Sequence, residues 1–369
     1  MTEVSDTLRD RRIVVVTSRL WQGYNDLWDA VEPEVSALAV VGARPSGARA
    51  ETDAPRSHVA LRSVDLSRGL VWEHLVGLRR FLRTFRPDLV HVNRELWALT
   101  SQELLSADAA VVVHGAENLW QHGPRAEQAL RRRLVERAVR KVAGYASWNH
   151  AGADHVRDLR DRLGLPPVPT LVRPAIVPPA AFRAARWEPV GEVGTFDLLL
   201  VGRATPAKGF QHVIEAVAGL PTRITLCGEG PMLEELIQHA RARGVDLRTL
   251  GFVGGAELAG LMARAHLMVQ PSLTTSDWAE QFGRSVAEAM TVGLPSLVSD
   301  SGELPYLVGH DERAVFGEGD VPELRQRLVA LMEPDRLNAL SRHQRSLSTP
   351  WQTASAGAAV LDLWRRVLA

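Results

Sequence analysis

The chain has 369 residues, 46% of them hydrophobic and 23% charged, which suits two ordinary domains better than one and excludes a disordered or fibrous protein. Lys+Arg and Asp+Glu both total 43, and this balance argues against a dedicated nucleic-acid binder. The single cysteine, Cys227, excludes a disulfide framework and a cysteine-rich metal site, while the polar start and the lack of a long apolar run point to a cytoplasmic setting.

In chain order, short β-branched runs alternate with longer amphipathic stretches. Strands are expected over 13–16 and 35–41, then a helix over about 70–85 leads into a strand over 88–92. A strand over 109–113, a helix near 125–142 and a short strand over 145–147 follow. Near-continuous apolar strands separated by helices are the mark of parallel sheets covered on both faces. Pro166, Pro167, Pro169, Pro174, Pro178 and Pro179 then cluster and read as an interdomain connection. Beyond them the alternation restarts, with strands expected over 196–201, 223–227, 247–250, 267–270, 296–298 and 314–316.

The pattern predicts an α/β protein of two Rossmann-like, doubly wound parallel-sheet domains facing a central cleft. An N-terminal domain is expected over 1–180 and a C-terminal one over 181–345. Residues 346–369, with Trp351, Leu361 and Trp364, form a last amphipathic helix. Ligands of such sheets bind beyond the carboxyl ends of the strands, so the strand-to-helix junctions are the candidate sites.

The first informative junction is Gly202-Arg203-Ala204-Thr205-Pro206-Ala207-Lys208-Gly209. Lysine occurs only at Lys141 and Lys208, so a lysine in this arginine-rich chain has a specific reason to be one. Arg203 offers a planar fork and Lys208 a compact charge, a pair suited to a diphosphate. The second junction, Gly228-Glu229-Gly230-Pro231, is a turn with little meaning alone, and Cys227 before it reads as an inert core thiol. At the third, Gly251-Phe252-Val253-Gly254, Phe252 fits a base ring and core packing equally well.

The fourth junction runs from Pro271-Ser272 past Trp278 to Glu280-Gln281-Phe282-Gly283-Arg284-Ser285, with Glu288 inside the helix that follows. The free N–H groups near Phe282, Gly283 and Arg284 and the helix dipole would favour an anion. Carboxylates accept from paired hydroxyls, so Glu280 is a candidate for sugar hydroxyls and Glu288 for a ribose diol.

Gly202-Arg203 with Lys208-Gly209, Gly228-Glu229-Gly230-Pro231, Glu280 through Glu288, and Gly293-Leu294-Pro295 resemble the glycosyltransferase family 4 signature on the GT-B fold, most strongly over 198–309. The resemblance implies retaining transfer from a nucleotide-diphosphate sugar, with no metal or other cofactor. It gives the diphosphate to Arg203 and Lys208, the donor sugar to Glu280, the ribose to Glu288, and backbone contacts to Phe282 and Gly283. The implied donor set also holds Gly202, Gly228, Glu229, Phe252, Arg284, Ser285 and, after the first strand, Gly23. That segment, 17–24, carries one glycine where the family often has a pair, and Arg19 beside it shares the expected phosphate-facing role.

His114, at a strand's carboxyl end, is a candidate catalytic residue that donates to a sugar hydroxyl or orients the acceptor. Trp21, Tyr24, Glu117 and Asn118, with Trp120 and Trp278, are candidates for holding a hydroxyl-bearing acceptor, whether natural product, lipid carrier or glycan. Arg79, Arg80, Arg83 and Arg86, like Arg131, Arg132, Arg133, Arg137, Arg140 and Lys141, read as solvated helix faces rather than as a membrane-binding surface. Two alternatives share the fold: a nucleotide-sugar epimerase, and a silent nucleotide-sugar-binding module. No Gly-x-Gly-x-x-Gly follows the first strand, which argues against a dinucleotide-dependent dehydrogenase.

Overall fold

A computed structural model of the chain describes residues 8–19, 22–43, 58–65, 73–118, 125–174, 177–191 and 194–369. Two compact units emerge, Met1–Val177 with Thr353–Ala369, and Pro178–Gln352. The divisions thus fall after Val177 and after Gln352, not at 180 and 345.

The first unit is built on β1 (Arg12–Arg19), followed by α1 (Gln22–Val31), β2 (Ala37–Ala43), β3 (His58–Leu61), β4 (Ser63–Asp65) and β5 (Glu73–Leu75). Then come α2 (Leu78–Phe85), β6 (Leu89–Val92), α3 (Leu99–Leu104), β7 (Ala110–Gly115), α4 (Arg125–Val139), β8 (Gly144–Ser147), α5 (His150–Arg162) and β9 (Thr170–Val172). Seven parallel strands form one sheet in the order β3-β2-β1-β6-β7-β8-β9. Ile13, Val14, Val15 and Val16 are fully buried. Their side chains alternate between two cores: Val14 and Val16 join Val90 and Val92, while Ile13 and Val15 join Leu89 and Val112.

The second unit opens with α6 (Ala180–Ala184) and β10 (Phe196–Val201). Next are α7 (Phe210–Val217), β11 (Thr222–Cys227), α8 (Leu233–Arg243), β12 (Asp246–Gly251), α9 (Gly255–Arg264) and β13 (Leu267–Gln270). The unit ends with α10 (Arg284–Val292), β14 (Ser296–Ser299), α11 (Leu304–Leu307), β15 (Val315–Phe316), α12 (Val321–Leu331) and α13 (Pro334–Leu347). Its six parallel strands run β12-β11-β10-β13-β14-β15. The chain leaves β10 toward β11 and β12, then returns to the other side of β10 with β13. The β10/β13 boundary is therefore the topological switch point, where loops diverge and open a crevice. In the first sheet the switch point lies between β1 and β6.

The last helix, α14 (Thr353–Leu368), belongs to the first unit. Trp364, fully buried, stacks on Trp28 of α1 with ring centroids 6.4 Å apart.

Two sequence expectations need correction. The helix expected over 70–85 is only α2, because Glu73–Leu75 instead pairs antiparallel with Ser63–Asp65 and Gly77 breaks the chain at φ 90°. The proline-rich connection contains an edge strand, β9, whose Thr170, Leu171 and Val172 pair with Tyr145, Ala146 and Ser147. Prolines flank that strand without occupying it, as an edge position allows.

Candidate active site

The site of the second unit is assembled by loops that leave the carboxyl ends of β10, β11, β13 and β14. After β10 the chain passes Gly202, makes a short turn at Pro206–Lys208, and enters α7 through Gly209 at φ 65°. A Cβ at Gly209 would lie 2.0 Å from the Pro271 carbonyl oxygen, so only glycine lets this loop meet the one after β13. Leu273 N–H donates to the Ala207 carbonyl at 2.8 Å and ties the two together. The loop after β11 interlocks with the first as well: Ala204 N–H donates to the Glu229 carbonyl, and Met232 N–H to that of Ala204.

This packing sets Lys208 against Glu280. The Lys208 Nζ lies 2.6 Å from Glu280 Oε2, with both side chains largely buried at 17% and 12% exposure. The ammonium also stands 5.0 Å from the centroid of the Trp278 ring. Glu280 Oε2 accepts from Ser272 Oγ at 2.9 Å. Ser272 Oγ accepts from Gln270 Nε2 at 2.8 Å, and Gln270 Oε1 accepts from Ser285 Oγ at 3.3 Å. A continuous polar chain therefore runs from the start of α10 across the end of β13 to the loop after β10. The Glu280 carbonyl accepts from Glu303 N–H at 3.0 Å, which anchors the same residue to the loop after β14.

Helix α10 begins after Gly283 at φ 85°, with no side chain capping its first turn. Helix α7, after Gly209, likewise has no side-chain cap. Two helix N-termini with unsatisfied N–H groups thus border the β10/β13 switch point, and an anion is the natural cap for both. Arg203 is exposed, with no side-chain partner among the described residues. Glu288 is buried one turn into α10, and its Oε1 accepts from Arg284 Nε at 2.9 Å. Burial raises its carboxyl above the usual range, an effect the Arg284 guanidinium partly opposes.

The other expected donor residues divide. Gly202, Gly228 and Glu229 sit in the interlocked loops, and Gly228 bridges to Gly251. Phe252 is 81% exposed beside that bridge, which rules out the core-packing alternative. Phe282 is buried, its ring packed in the interior. Ser285 holds Gln270, and Arg284 holds Glu288. Trp278 packs over Lys208 in the second unit and is not assigned to an acceptor. The Cys227 thiol is buried and pushed up to about 11, consistent with an inert core group.

In the first unit, the expectation for His114 is overturned. It is 1% exposed and both ring nitrogens are engaged: Nδ1 lies 3.1 Å from His91 Nε2, and Nε2 lies 2.7 Å from the Arg173 carbonyl. The indole N–H of Trp364 donates to His91 Nδ1 at 3.0 Å. An indole can only donate and a carbonyl can only accept, so the relay runs Trp364 to His91 to His114 to Arg173 with both imidazoles neutral. Burial depresses His91 and holds His114 down at about 4. His114 is a structural strut that pins α14 to the sheet, with no nitrogen left for a sugar.

Glu117 is buried, its carboxylate accepting from Asn118 N–H at 3.1 Å. Gly23 and Tyr24 lie within α1, so Gly23 starts a helix rather than lining a glycine loop, while the Tyr24 and Arg19 side chains, Trp21 and Trp120 lie outside the described residues. Sequence reasoning missed Gln270, whose signal was a polar residue closing the otherwise apolar strand Leu267–Gln270.

The family model described as Glycosyl transferases group 1 matches residues 183–345, within the second unit. A GDP-mannose-dependent alpha-(1-6)-phosphatidylinositol dimannoside mannosyltransferase of Mycobacterium tuberculosis is 25% identical over 76% of this chain and 74% of its own length. A D-inositol 3-phosphate glycosyltransferase of Pseudarthrobacter chlorophenolicus is 28% identical over 67% of this chain and 62% of that protein. Among solved structures, the sucrose-phosphate synthase of Thermosynechococcus elongatus superposes with a TM-score of 0.71 at 15% identity, covering 96% of this chain and 98% of that one. Anabaena Alr3699/HepE in complex with UDP and glucose gives 0.69 at 17% identity over 95% and 98%. The second unit is a glycosyl transferases group 1 domain, and the chain is a glycosyltransferase on the GT-B fold.

Proposed function

We propose that the chain is a retaining transferase of family 4 type, moving a sugar from a nucleotide-diphosphate donor to a hydroxyl of its acceptor. The observation that carries this reading is the Lys208–Glu280 pair set between two uncapped helix N-termini. In the donor complex the diphosphate lies against Lys208, Arg203 and the first-turn amides of α10. Glu280 takes hydroxyls of the donor sugar, Glu288 the ribose diol, and the exposed Phe252 ring stacks on the base.

Chemistry then follows from charge. As the bond from the anomeric carbon to the diphosphate breaks, its electron pair leaves with the phosphate. The cations and amides around Lys208 meet charge that develops only as the bond stretches, which is how fixed donors accelerate a reaction. The acceptor hydroxyl bonds to the anomeric carbon on the face the diphosphate leaves, and its proton passes to the departing phosphate oxygen. No covalent sugar–protein adduct forms, and no metal takes part in this scheme.

Relatives named for phosphatidylinositol dimannoside, D-inositol 3-phosphate and 2-deoxystreptamine support a polar, hydroxylated acceptor. The test is to incubate the protein with common nucleotide sugars, with and without D-inositol 3-phosphate or 2-deoxystreptamine, and follow free nucleoside diphosphate and the product's anomeric signal by NMR. Release that rises on adding acceptor, with the donor's anomeric configuration kept, supports the proposal. Conversion of the donor to another nucleotide sugar without acceptor would establish an epimerase instead. Donor binding without any turnover would leave a binding module.

A further inference from the structure

Gln270 closes β13 after three fully buried apolar residues, Leu267, Met268 and Val269, and is itself fully buried. The sheet does not require an amide there, because an apolar side chain would continue a strand covered on both faces. Its backbone already stands in register with Val298 of β14. The side chain instead spans two hydroxyls, one in the loop that follows and one in the first turn of α10. Nε2 donates to Ser272 Oγ at 2.8 Å, and Oε1 accepts from Ser285 Oγ at 3.3 Å.

The two ends of an amide differ, and this gives the arrangement a direction. A hydroxyl has one proton to donate. Ser272 Oγ receives the amide N–H, so its own proton goes to Glu280 Oε2, 2.9 Å away. A carboxylate only accepts, which fixes the far end of the chain. From Ser285 through Gln270 and Ser272 to Glu280, each group donates to the next. Ser299 Oγ donates to the Ser272 carbonyl at 2.6 Å and holds that stretch of backbone against the end of β14. Glu280 Oε2 therefore receives two hydrogen bonds, one from Ser272 and one from Lys208 Nζ at 2.6 Å. Two donors from different parts of the chain fix how the carboxyl group is turned, whereas either alone permits rotation about its last bond.

We propose that Gln270 is a positioning residue for the donor sugar. By directing the Ser272 proton onto Glu280, it holds the carboxylate in the orientation that takes the sugar hydroxyls, without touching substrate itself. This rests on the transferase reading above, which assigns those hydroxyls to Glu280. The diphosphate contacts of that reading, through Lys208, Arg203 and the α10 amides, do not depend on Gln270.

The test compares Gln270→Leu, Ser272→Ala and the double variant with the wild type. Calorimetry gives the affinity for nucleoside diphosphates, and the turnover assay already described gives kcat and KM for the nucleotide sugar. Gln270→Leu should bind nucleoside diphosphate within threefold of the wild type. Its kcat/KM for the nucleotide sugar should fall about 100-fold, the cost of misplacing a group by about 1 Å. Ser272→Ala should show the same selective loss, and the double variant should fall no further, because both changes break one chain. Nucleotide affinity and turnover that fall together would make Gln270 a support of the loops alone and overturn the proposal. Unchanged turnover, or losses that multiply in the double variant, would overturn it too. If Gln270→Leu does not fold, Ser272→Ala decides by the same comparison, since it removes the last donor of the chain. A wild type that binds no nucleoside diphosphate or turns over no donor fails the transferase reading, and this proposal with it. An active wild type matched by its variants fails this proposal alone.

Discussion

Lys208 Nζ sits 2.6 Å from Glu280 Oε2, although 72 residues separate them in sequence. The contact joins the loop after β10 to the loop after β13 across the point where the sheet reverses its winding. A largely buried pair of this kind is strongly coupled, because removing one partner strands the other's charge. Lys208→Ala is expected to lower turnover on the order of 10²- to 10³-fold through loss of a phosphate contact. Adding Glu280→Gln should then cost much less than it does in the wild type, a non-additivity read from a double-mutant cycle on stability. Equal, additive costs would mean that the pair is not a unit.

Glu288→Ala should weaken every nucleoside diphosphate, since Glu288 is assigned the ribose. The discriminating comparison is with 2′,3′-dideoxy nucleotides, measured by calorimetry. These should bind the wild type about tenfold or more weakly than the ribonucleotides, each lost bond to a charged group being worth roughly 1.5–3 kcal/mol. They should lose almost nothing further in Glu288→Ala. A full further loss would place Glu288 somewhere other than the sugar diol.

Phe252 is 81% exposed, so its removal should not disturb folding. Phe252→Ala is expected to leave the melting temperature unchanged and weaken nucleotide binding by about 1–2 kcal/mol, the scale of one base–aromatic stack. Retained affinity would show that the ring has no part in base binding.

The imidazole relay predicts a pH response. His91 is depressed well below 6.5, and His114 and the half-buried His155 stand at about 4. Their unfolded pKa is about 6.5, so between 6.5 and about 4 the unfolded chain binds protons that the folded chain refuses. Stability is then fully present above pH 6.5 and falls as pH drops through that window. Glu95, raised to about 7, and the raised carboxyls of Glu288 and Asp29 have the opposite slope, contributing at low pH and losing that contribution as pH rises, but they are three groups against five depressed histidines, since burial lowers His212 and His266 as well. Denaturant unfolding should therefore show a net loss from pH 7 to pH 4.5. Trp364→Phe, which leaves His91 Nδ1 unpaired in the core, should cost about 1–3 kcal/mol at neutral pH. A flat profile would refute the neutral relay.

Much of the second unit was legible because its signals are local. Apolar strands bounded by glycines, a rare lysine and paired carboxylates flanking a loop each speak for themselves at short range. The Lys208–Glu280 contact itself was not written in any single segment, since it depends on Gly209 fitting against the Pro271 carbonyl. The first unit was less legible for the same reason. His114 looked available at a strand end, yet its partners His91, Arg173 and Trp364 are distant in sequence and only the fold brings them together. β5 was hidden because the apolar spacing before α2 continues across Gly77 without showing where the helix starts.

The most direct measurement is calorimetric binding of nucleoside diphosphates to the wild type and to Lys208→Ala. A diphosphate should bind the wild type clearly tighter than the matching monophosphate, and that advantage should vanish in the variant. If monophosphate and diphosphate bind alike, or if the preference survives without Lys208, the diphosphate does not lie between the loop after β10 and the start of α10.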